Sequence, residues 1–289
     1  MPYLFTHEEK KERERLAAIE AMGDPFTIEC LEKIGVGEGW RCLEIGAGGG
    51  SITQWLCGRV GPSGKVIATD LQTKFLEAIE ASNLEVRKHD VSTDELEREA
   101  FDLVSARKVL EHLPKPSEAL GRMADAVRPG GWLLVEDSDL ATRRHFSFPD
   151  PERVERAYLK FIEAMASAGF LPTYAKRLAA ELRERGFQDV QFVCPIPVGF
   201  AFPKELRLLG LEPSEQKHFP KKVEWNAAGD QGIGKVYRMT FERLRERVTK
   251  SGLLTTEEAD QFLSDIQSPE FGAVTGFHCA AWGRKPTSP

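Results

Sequence analysis

A glycine-rich loop is the first run of residues whose types and spacing could bind a ligand. Residues 41–50 read as a strand, a loop and the start of a helix, and the loop has the pattern E-x-G-x-G-x-G, formed by Glu44, Gly46, Gly48 and Gly50. Glycines there let the backbone approach a ligand without a Cβ clash. Glu44 would repel a pyrophosphate and would favour a ligand with a cationic amine and a sulfonium. The alternative is a tight strand-to-helix turn that binds nothing.

Two further acids follow the next two apolar segments. Asp70 ends the second predicted strand and can accept hydrogen bonds from both hydroxyls of a ribose. Asp90 ends the third and can accept one from an adenine amino group, while the amide of Val91 can donate to the same ring. Either acid alone could equally be a solvated turn residue or a helix cap. Together with Glu44 they put acids at the carboxyl ends of three successive strands, which is the edge where open α/β sheets bind ligands.

His112 is the best candidate for a general base. It follows the fourth predicted strand near the same edge, and an imidazole titrates in the physiological range. The alternative is a structural histidine packed at the start of a helix. Glu136 and Asp137 end the fifth predicted strand and face the same edge, with capping or solvation as their alternative roles. The six histidines form no H-x-x-x-H pair and do not cluster with cysteines, so the sequence predicts no metal site.

An alternation of strands and helices must position these residues. Strands are predicted at 40–45, 65–69, 84–88, 101–105 and 131–136, with helices at 50–60, 72–82, 93–98 and 115–128 between them and at 7–22 and 25–35 before them. Such an alternation predicts a parallel sheet that is covered by helices on both faces. In the C-terminal half, helices are predicted from 150 onward and at 173–185, 231–249 and 256–267, with strands at 187–194 and 273–283.

The chain is expected to have four parts. These are N-terminal helices at 1–35, a ligand-binding core at 36–199, a helical insertion at 200–270, and the last core strand and tail at 271–289. In the insertion, an apolar face at helical spacing is formed by Ile233, Tyr237, Phe241, Leu244 and Val248. Such a face is usually packed core. The position of the insertion between the last two strands of the sheet also suits a mobile lid over an apolar substrate.

The composition narrows the classes of partner and compartment. The 45 acidic and 39 basic residues give a net charge of −6, which argues against nucleic acid as a partner. Five widely spaced cysteines without a C-x-x-C pair indicate free thiols in a reducing cytoplasm. The first residues form no apolar signal core, and no run approaches the roughly 18 apolar residues of a membrane span. We therefore expect a soluble cytoplasmic protein, and the oligomeric state stays open.

Three landmarks carry a resemblance to a known family. They are residues 43–50 (LEIGAGGG), 68–70 (ATD) and 127–132 (VRPGGW). Residues 106–114 (ARKVLEHLP) are also similar to the segment after the fourth strand of that family. Over about residues 25–140 the chain resembles class I S-adenosylmethionine (SAM)-dependent methyltransferases, in particular the UbiE-like group that acts on small molecules.

The resemblance implies a Rossmann-like α/β fold with a seven-stranded doubly wound sheet, an antiparallel last strand and, here, a helical insertion between strands six and seven. About 75 residues separate those two strands instead of a short turn, which departs from the family. The resemblance also implies SAM as the cofactor, bound by Glu44, Gly46, Gly48, Gly50, Asp70, Leu71, Asp90, Val91, Ala106 and Arg107. The similar phosphoethanolamine methyltransferases have a histidine that takes part in catalysis at the place of His112.

The expected activity is methyl transfer from SAM to a small organic acceptor with an oxygen, nitrogen or carbon nucleophile. An NAD-dependent oxidoreductase on a similar fold is disfavoured by Glu44, by Ser51 in place of the third glycine of a dinucleotide loop, and by the last strand. A non-catalytic SAM-binding protein is the other alternative. Family enzymes that methylate exocyclic amines of nucleobases or glutamine amides generally use a (D/N)-P-P-(Y/F) motif. Residues 105–108 (SARK) stand at its expected place, so these acceptors are disfavoured.

Overall fold

The computed structural model describes residues 9–142, 144–147, 150–194, 232–268, 271–274 and 277–287 of the 289-residue chain. The chain divides into two compact units. The first consists of Met1–Asp139, Gly169–Pro195 and His278–Pro289, and the second of Leu140–Ala168 and Ile196–Phe277. The second unit therefore includes a segment that precedes residue 200, and the four-part division drawn from the sequence stays a prediction.

Within the described ranges the strands are β1 (Arg41–Ile45), β2 (Lys65–Asp70), β3 (Leu84–Lys88), β4 (Phe101–Arg107), β5 (Val127–Asp139), β6 (Arg144–Ser147), β7 (Gln188–Val193), β8 (Phe271–Val274) and β9 (Phe277–Arg284). The α-helices are α1 (Glu9–Ile34), α2 (Ser51–Val60), α3 (Pro116–Ala126), α4 (Pro151–Ser167), α5 (Leu178–Glu184), α6 (Gly232–Lys250) and α7 (Thr256–Gln267). Short 3-10 turns occur at Leu110–His112, Leu140–Thr142 and Tyr174–Arg177. No described helix has the length and apolarity to span a bilayer.

The first unit is built on a seven-stranded mixed sheet in the order β3-β2-β1-β4-β5-β9-β7. The pairs β1–β2, β2–β3, β1–β4 and β4–β5 are parallel, and the pair β7–β9 is antiparallel. This confirms the predicted Rossmann-like α/β sheet. The chain order reverses between β1 and β4, and open α/β sheets bind ligands outside the carboxyl ends of their strands at such a switch point.

The core of the first unit includes the packing of α1 and α2 against the sheet. Strands β1, β2 and β4 are buried along most of their length, as expected of parallel strands covered on both faces. Leu31 of α1, Leu56 of α2 and Leu103 of β4 belong to one fully buried cluster. Burying each such side chain stabilises the fold by roughly 1.5–3 kcal/mol, so the C-terminal half of α1 is anchored to the sheet.

The N-terminal region is one helix, so the prediction of two helices was wrong. Helix α1 continues through Gly23, Asp24 and Pro25. A proline inside a helix removes one backbone hydrogen bond. The Gly23 carbonyl nevertheless accepts from the Thr27 hydroxyl at 3.1 Å, and Leu31 packs into the core. Tertiary packing and this side-chain hydrogen bond outweigh the break that the Gly-Asp-Pro sequence predicts.

The helices predicted at 72–82 and 93–98 are turns in the structure, so both predictions were wrong. In the first segment the Thr73 carbonyl accepts hydrogen bonds from the amides three and four residues later. In the second segment the Asp90 carbonyl does the same. A single helical turn is costly to nucleate unless it buries apolar surface. Residues 93–98 bury none of their side chains, so no packing offsets that cost.

The predicted last strand at 273–283 consists of two strands in two sheets. Strand β9 belongs to the main sheet, whereas β8 pairs antiparallel with β6 in a two-stranded sheet of the second unit. The sequence does not predict β6, because four residues are too few to show an alternation of apolar and polar positions.

Cys194 and Cys279 form a disulfide, so the prediction of free thiols was wrong for this pair. Val193 pairs with Ala280 across β7 and β9, and the two cysteines are the next cross-strand pair, with Cα atoms 4.3 Å apart. The separation of 85 residues hides this proximity in the sequence. The free cysteines, all buried, are Cys30, Cys42 and Cys57. Burial raises the pKa of each of these thiols, which makes them unreactive.

The second unit contains α6 and α7, the two helices that the sequence predicts in the insertion. Phe241 of α6 contacts Phe161 of α4 and Phe262 of α7, with ring centroids 5.5 and 4.8 Å apart. The buried face of α6 comprises Tyr237, Phe241, Leu244 and Val248. The side chain of Ile233 and the segment 195–231 lie outside the described residues, and the lid hypothesis for 200–270 stays a prediction.

Candidate active site

The glycine loop, residues 46–50, joins β1 to α2 through left-handed backbone conformations. Gly46, Gly48 and Gly50 have φ angles of 67°, 58° and 86°. These angles are strained for residues with a Cβ, so the glycines are required by the turn itself. Gly50 is the N-cap of α2, and no side chain caps the helix there. The loop therefore presents the amino end of a helix at the carboxyl edge of the sheet.

Asp70 at the end of β2 ties the glycine loop to the next loop. Its Oδ2 accepts from the Gly48 amide at 2.9 Å, and its Oδ1 accepts from the Gln72 amide at 3.0 Å. Burial raises the pKa of Asp70 although these amides favour its charged form. Leu71, beside it, is exposed. The predicted ribose anchor thus lies at the switch point, next to the loop.

Glu44 lies beneath the glycine loop. Its side chain is buried, and its Oε2 accepts from the Thr53 hydroxyl of α2 at 2.5 Å. Burial raises the pKa of Glu44 to about 7, although the Thr53 hydrogen bond and the charge of Arg107 lower it. A cation that binds near the loop would favour the ionised form of this carboxyl group.

Asp90 lies in the turn after β3. Its Oδ1 accepts from the Ser92 amide at 2.9 Å and from the Ser92 hydroxyl at 2.5 Å, so it holds the turn as the sequence alternative suggested. Its other oxygen, Oδ2, is not used in these bonds. The neighbouring Val91 is buried. The assignment of Asp90 and Val91 to the adenine ring remains a prediction.

Helix α1 covers the glycine loop. A Cβ at Gly49 would collide with the Glu20 carboxylate and approach Arg13 Nη1 to 2.7 Å, and a Cβ at Gly48 would lie 3.4 Å from Leu16. Arg13 forms an ion pair with Glu20 Oε2 at 2.8 Å. The other oxygen, Glu20 Oε1, is buried and has no hydrogen-bond partner among the described residues.

These surroundings provide a test of whether SAM fits the loop. The orphaned Glu20 Oε1 needs a donor, and the nearby carboxyl groups of Glu44 and Asp70 add negative charge around the same loop. A cationic amine satisfies both requirements and a sulfonium satisfies the second through its charge, whereas a pyrophosphate satisfies neither. The residues present therefore fit SAM. The sequence analysis missed Glu20, because a charged residue in a charged helix carries no distinguishing signal.

A connected group of polar side chains lies at the ends of β4, β5 and β9; we call it the edge network. Its members are Asp24, Thr27, Arg107, Glu136 and His278. Arg107 Nη1 donates to Asp24 Oδ1 at 2.8 Å and to the Thr27 hydroxyl at 3.0 Å. The Thr27 hydroxyl lies 3.0 Å from Glu136 Oε2, and the same oxygen lies 2.5 Å from His278 Nε2. One chain of polar contacts thus runs from α1 to the last strand.

Strand register explains how these residues meet. Ile45 of β1 pairs with Thr69 of β2 and with Ala106 of β4, so the predicted cofactor residues share one edge. Arg107 pairs with Glu136 across β4 and β5. The contact of Glu136 with His278 puts the start of β9 at that edge too. The structure therefore brings Glu136 together with Arg107.

His112 lies in the 3-10 turn that follows β4. Its ring packs edge-on against Phe170 with centroids 5.0 Å apart, and its Nε2 lies 3.8 Å from Glu111 Oε1. Burial, together with the charges of Lys108 and Arg15, lowers the pKa of His112 to about 4. The charge of Glu111 opposes this shift. The predicted base is therefore neutral at physiological pH.

Asp137 is the most deeply buried of the predicted acceptor-side residues. It is 1% exposed, and neither of its oxygens has a hydrogen-bond partner among the described residues. Burial raises the pKa of Asp137 well above its usual value, and the charge of Glu111 raises it further. Glu111 itself accepts from the Ser138 amide at 2.7 Å. Burial therefore favours the neutral form of the Asp137 carboxyl group.

The sequence analysis missed Asp24, Thr27 and His278. Asp24 and Thr27 lie where the sequence predicts a break between two helices. The prediction therefore did not place them on one face of a single helix. A signal for His278 was present: an antiparallel last strand starts at the edge where the parallel strands end. Its first residues, Phe277 and His278, were therefore candidates for the site.

Comparisons with known proteins agree with this geometry. A family model described as a methyltransferase domain matches residues 7–192, which is more than half of the chain. Methyltransferase str2 of Strobilurus tenacellus is 31% identical over 208 residues, which cover 68% of this chain and 73% of that protein. The ubiquinone biosynthesis O-methyltransferase of Paracidovorax citrulli is 31% identical over 119 residues, which cover 38% of this chain and 49% of that protein.

Among solved structures, phosphoethanolamine N-methyltransferase 2 of Haemonchus contortus has a similar fold. That structure contains phosphomonomethylethanolamine and S-adenosylhomocysteine; the TM-score is 0.52 at 16% identity, over 90% of this chain and 52% of that chain. At this level of identity the similarity shows the fold alone. The chain spans about half the length of the Paracidovorax and Haemonchus proteins.

Proposed function

Because the chain belongs to the methyltransferase-domain family and is a SAM-dependent methyltransferase, we propose a class of acceptor for it. This acceptor is a small molecule with an oxygen, nitrogen or carbon nucleophile. One observation carries the proposal: the polar groups at the edge are recessed. Arg107, His112 and His278 keep only 15%, 16% and 17% of their side-chain surface exposed, and Glu136 keeps 1%. A small molecule can reach such side chains. A nucleophile on the surface of a second macromolecule could reach them only if it first moved out of the folded structure of that macromolecule.

The relatives support the same class of acceptor. The Paracidovorax protein is named for an O-methylation in ubiquinone biosynthesis, and the Haemonchus protein holds a phosphorylated amine. These two acceptors react through different atoms, so the comparison favours a small molecule without choosing among nucleophiles.

We propose that the predicted residues hold SAM at the switch point between β1 and β4. The glycine loop and the backbone of Ala106 and Arg107 would border the methionine end, with Glu44 beneath them. Asp70 would accept from the ribose hydroxyls, with Leu71 beside it, and Asp90 and Val91 would bind the adenine ring. The binding residues of this proposal are Glu44, Gly46, Gly48, Gly50, Asp70, Leu71, Asp90, Val91, Ala106 and Arg107.

SAM, when bound, supplies a methyl group already activated on a sulfonium. The chain must then hold the acceptor in line, exclude water and, for a hydroxyl or ammonium acceptor, remove a proton. His112 is the base proposed from the sequence, and its lowered pKa of about 4 leaves it neutral. Glu136 and Asp137 are the proposed acceptor-side residues, with Asp137 as a hydrogen-bond donor because its raised pKa favours the protonated form.

Binding and transfer experiments test the proposal. Calorimetric titrations with SAM and with NAD, each as the only ligand, should give binding with SAM alone. SAM labelled in its methyl group is then supplied with a panel of phenols, catechols, hydroxy acids, amines and carbon acids, and in parallel with mixed protein and with RNA. Label in a panel compound supports the proposal, whereas label that appears only in protein or RNA contradicts it.

A cytoplasmic location belongs to the same set of proposals. The prediction rested on free thiols and on the lack of an apolar signal core or long apolar run in the sequence. The Cys194–Cys279 disulfide removes the first support, because structural disulfides are rare in a reducing compartment. Alkylation of intact cells, followed by mass spectrometry of the two cysteines, tests it. Alkylated Cys194 and Cys279 support a cytoplasmic protein, and an unmodified disulfide contradicts it.

A further inference from the structure

The pair formed by His278 and Glu136 has the arrangement of a general base and its orienting carboxylate. We infer that His278, held by Glu136, removes the proton of the methyl acceptor; the inference rests on the proposed small-molecule methyl transfer. In this assignment His278 touches the acceptor and is a catalytic residue, whereas Glu136 acts through His278 and is a positioning residue.

The position of His278 in the sheet supports this role. It is the second residue of β9, the strand next to β5 in the sheet, and it contacts Glu136 near the end of β5. Glu136 pairs with Arg107 on β4, one residue after Ala106, where the resemblance brings the methionine end of SAM. His278 therefore lies at the carboxyl edge, on the far side of β5 from the cofactor loop.

Hydrogen bonding fixes which nitrogen of His278 is available. An ionised carboxylate only accepts hydrogen bonds, so the 2.5 Å contact with Glu136 Oε2 requires a proton on Nε2. Nδ1 then carries the lone pair, and it has no hydrogen-bond partner among the described residues. The imidazole keeps 17% of its side-chain surface exposed, whereas Glu136 keeps 1%. One nitrogen is thus anchored in the interior, and the other carries no such contact among the described residues.

Charged groups from β4, β5 and α1 surround the His278–Glu136 pair. Glu136 faces His278 from β5, and Arg107 and Lys108 face it from β4, while Asp24 of α1 pairs with Arg107. Burial lowers the pKa of His278, and the charges of Lys108 and Arg107 lower it further, against the opposing effect of Glu136. The Phe26 ring lies edge-on to the imidazole at 5.6 Å and fixes its plane.

His112 meets its neighbouring carboxylate at a longer distance. Its Nε2 lies 3.8 Å from Glu111, beyond hydrogen-bond distance, and Glu111 Oε2 accepts from the Ser138 amide instead. His278 is therefore the better-positioned imidazole of the two.

The transfer balances as follows for a hydroxyl acceptor. The acceptor oxygen forms a bond to the methyl carbon as the carbon–sulfur bond breaks, and the electron pair of that bond stays on sulfur. His278 Nδ1 takes the hydroxyl proton and becomes an imidazolium that pairs with the Glu136 carboxylate. The products are the methyl ether, S-adenosylhomocysteine and a proton that His278 later releases to water.

Matched variants separate a catalytic role from a structural one. In His278→Gln the amide nitrogen can still donate to Glu136 and fill the space, so a structural role is retained while the base is lost. Glu136→Gln removes the orienting charge, and Glu85→Gln, at an exposed ion pair on β3, is the control. His112→Gln tests the rival base. Thermal unfolding and calorimetric SAM titration of every variant establish that it is folded and binds SAM.

The first measurement does not depend on knowing the acceptor. Nitrogen-15 spectra of histidine-labelled full-length protein with bound SAM, assigned by the signal that disappears in His278→Gln, report the tautomer and pKa of His278. We expect the Nε2-protonated tautomer above the pKa, and Glu136→Gln should lower the pKa and weaken the tautomer preference, with no change in Glu85→Gln. A His278 protonated on Nδ1 in its neutral form overturns the inference.

The second measurement uses whichever panel compound accepts the methyl group. His278→Gln should lower kcat by roughly 10²–10⁴-fold with SAM affinity within about twofold, and the acidic limb of the pH profile should disappear. Glu136→Gln should lower kcat less and move that limb. The inference is overturned if His278→Gln keeps its kcat and its limb, or if His112→Gln alone removes the limb. If SAM binds but labels only macromolecules, the proposed function fails instead, and the tautomer measurement still judges the His278–Glu136 pair.

Discussion

The glycine loop and the edge network are held in place by different kinds of contact. Around the loop, a backbone amide binds Asp70 from 22 residues away, and Glu44 accepts from Thr53 only 9 residues away. In the edge network, Glu136 meets Thr27 across 109 residues and His278 across 142. The backbone of the loop depends on local conformation within one βαβ segment, which α1 covers, whereas the edge network also depends on the last strands of the sheet.

This difference predicts a difference in response to damage. A site built from one continuous segment keeps its geometry as long as that segment is folded, while a site assembled from distant strands loosens when any of them shifts. Perturbations of the last strands should therefore impair methyl transfer more than SAM binding. Substitutions in the glycine loop should impair SAM binding more than methyl transfer.

Removal of the Cys194–Cys279 disulfide should have the largest effect. The bond closes a loop of 85 residues, and its loss in Cys194→Ser/Cys279→Ser should lower the free energy of unfolding by about 4.6 kcal/mol in the chain-entropy estimate. Because Cys279 directly follows His278, kcat should fall while SAM affinity among folded molecules changes little. Urea denaturation and calorimetric titration measure the two effects.

Reduction provides the control for the disulfide prediction. A reducing agent should weaken the wild-type protein and leave the double-serine variant unaffected, because that variant has no bond to reduce. A proportional loss of SAM affinity and kcat in the variant would contradict the contrast between loop and edge network.

Glu44→Gln should produce the next largest effect, as a change in pH dependence. The pKa of Glu44 is raised from 4.5 to about 7 in the folded state, so between these values the folded protein holds one proton more than the unfolded chain. Its free energy of unfolding therefore falls as pH rises through this window, by about 3 kcal/mol in total from this group. A glutamine does not titrate, so the variant lacks this contribution.

Urea denaturation at pH values from 4.5 to 8 measures the Glu44 contribution as the difference between wild type and variant. The variant should gain stability relative to wild type as pH rises to 7, and its SAM affinity should be lower at pH 8, where wild-type Glu44 is ionised. Glu85→Gln, at an exposed site, is the control. Parallel stability curves for wild type and Glu44→Gln would show that the carboxyl group titrates normally.

Asp70→Ala should weaken SAM binding by about 1–3 kcal/mol, because the Gly48 and Gln72 amides lose their acceptor and a ribose hydroxyl loses its partner. Calorimetric titration measures the affinity, with Asp125→Ala, at an exposed ion pair, as control. The histidine signals of the edge network should stay in place. Unchanged affinity for SAM removes Asp70 from the site.

The same contrast explains how much of the molecule could be predicted from sequence. The glycine loop, Asp70 and the strands β1 to β5 were predictable, because each is encoded by neighbouring residues with a defined periodicity or backbone requirement. The helices predicted at 72–82 and 93–98 failed because helical periodicity does not show whether a single turn is extended into a helix, and in both segments it is not.

The edge network and the disulfide could not be predicted in the same way. The pairing of Cys194 with Cys279 follows from the register of β7 and β9, and that register is set by the packing of the whole sheet. The contact between Thr27 and Glu136 depends on α1 continuing through Pro25, which its local sequence argues against. The antiparallel direction of the last strand was the one usable signal, and it pointed to the start of β9.

Thr27→Val should have the smallest effect and is the sharpest probe of the edge network. Valine keeps the branched shape but loses the hydroxyl that accepts from Arg107 and lies 3.0 Å from Glu136. Arg107 keeps Asp24 and Glu136 keeps His278, so the free energy of unfolding should fall by only about 1 kcal/mol. Urea denaturation measures this loss, and Thr27→Ser, which keeps the hydroxyl, should restore most of it.

The stronger consequence of Thr27→Val concerns proton transfer. Without the hydroxyl, Glu136 has one polar neighbour fewer, and its attraction for a protonated His278 grows. The pKa of His278 and the acidic limb of the methyl-transfer profile should both move to higher pH, while Thr27→Ser leaves them in place. In a double-mutant cycle with Glu136→Gln, the shift should vanish, because the effect passes through that carboxylate. If the shifts of the His278 pKa in the two single variants simply add in the double variant, Thr27 acts on His278 by another route. The edge network is then not one connected unit.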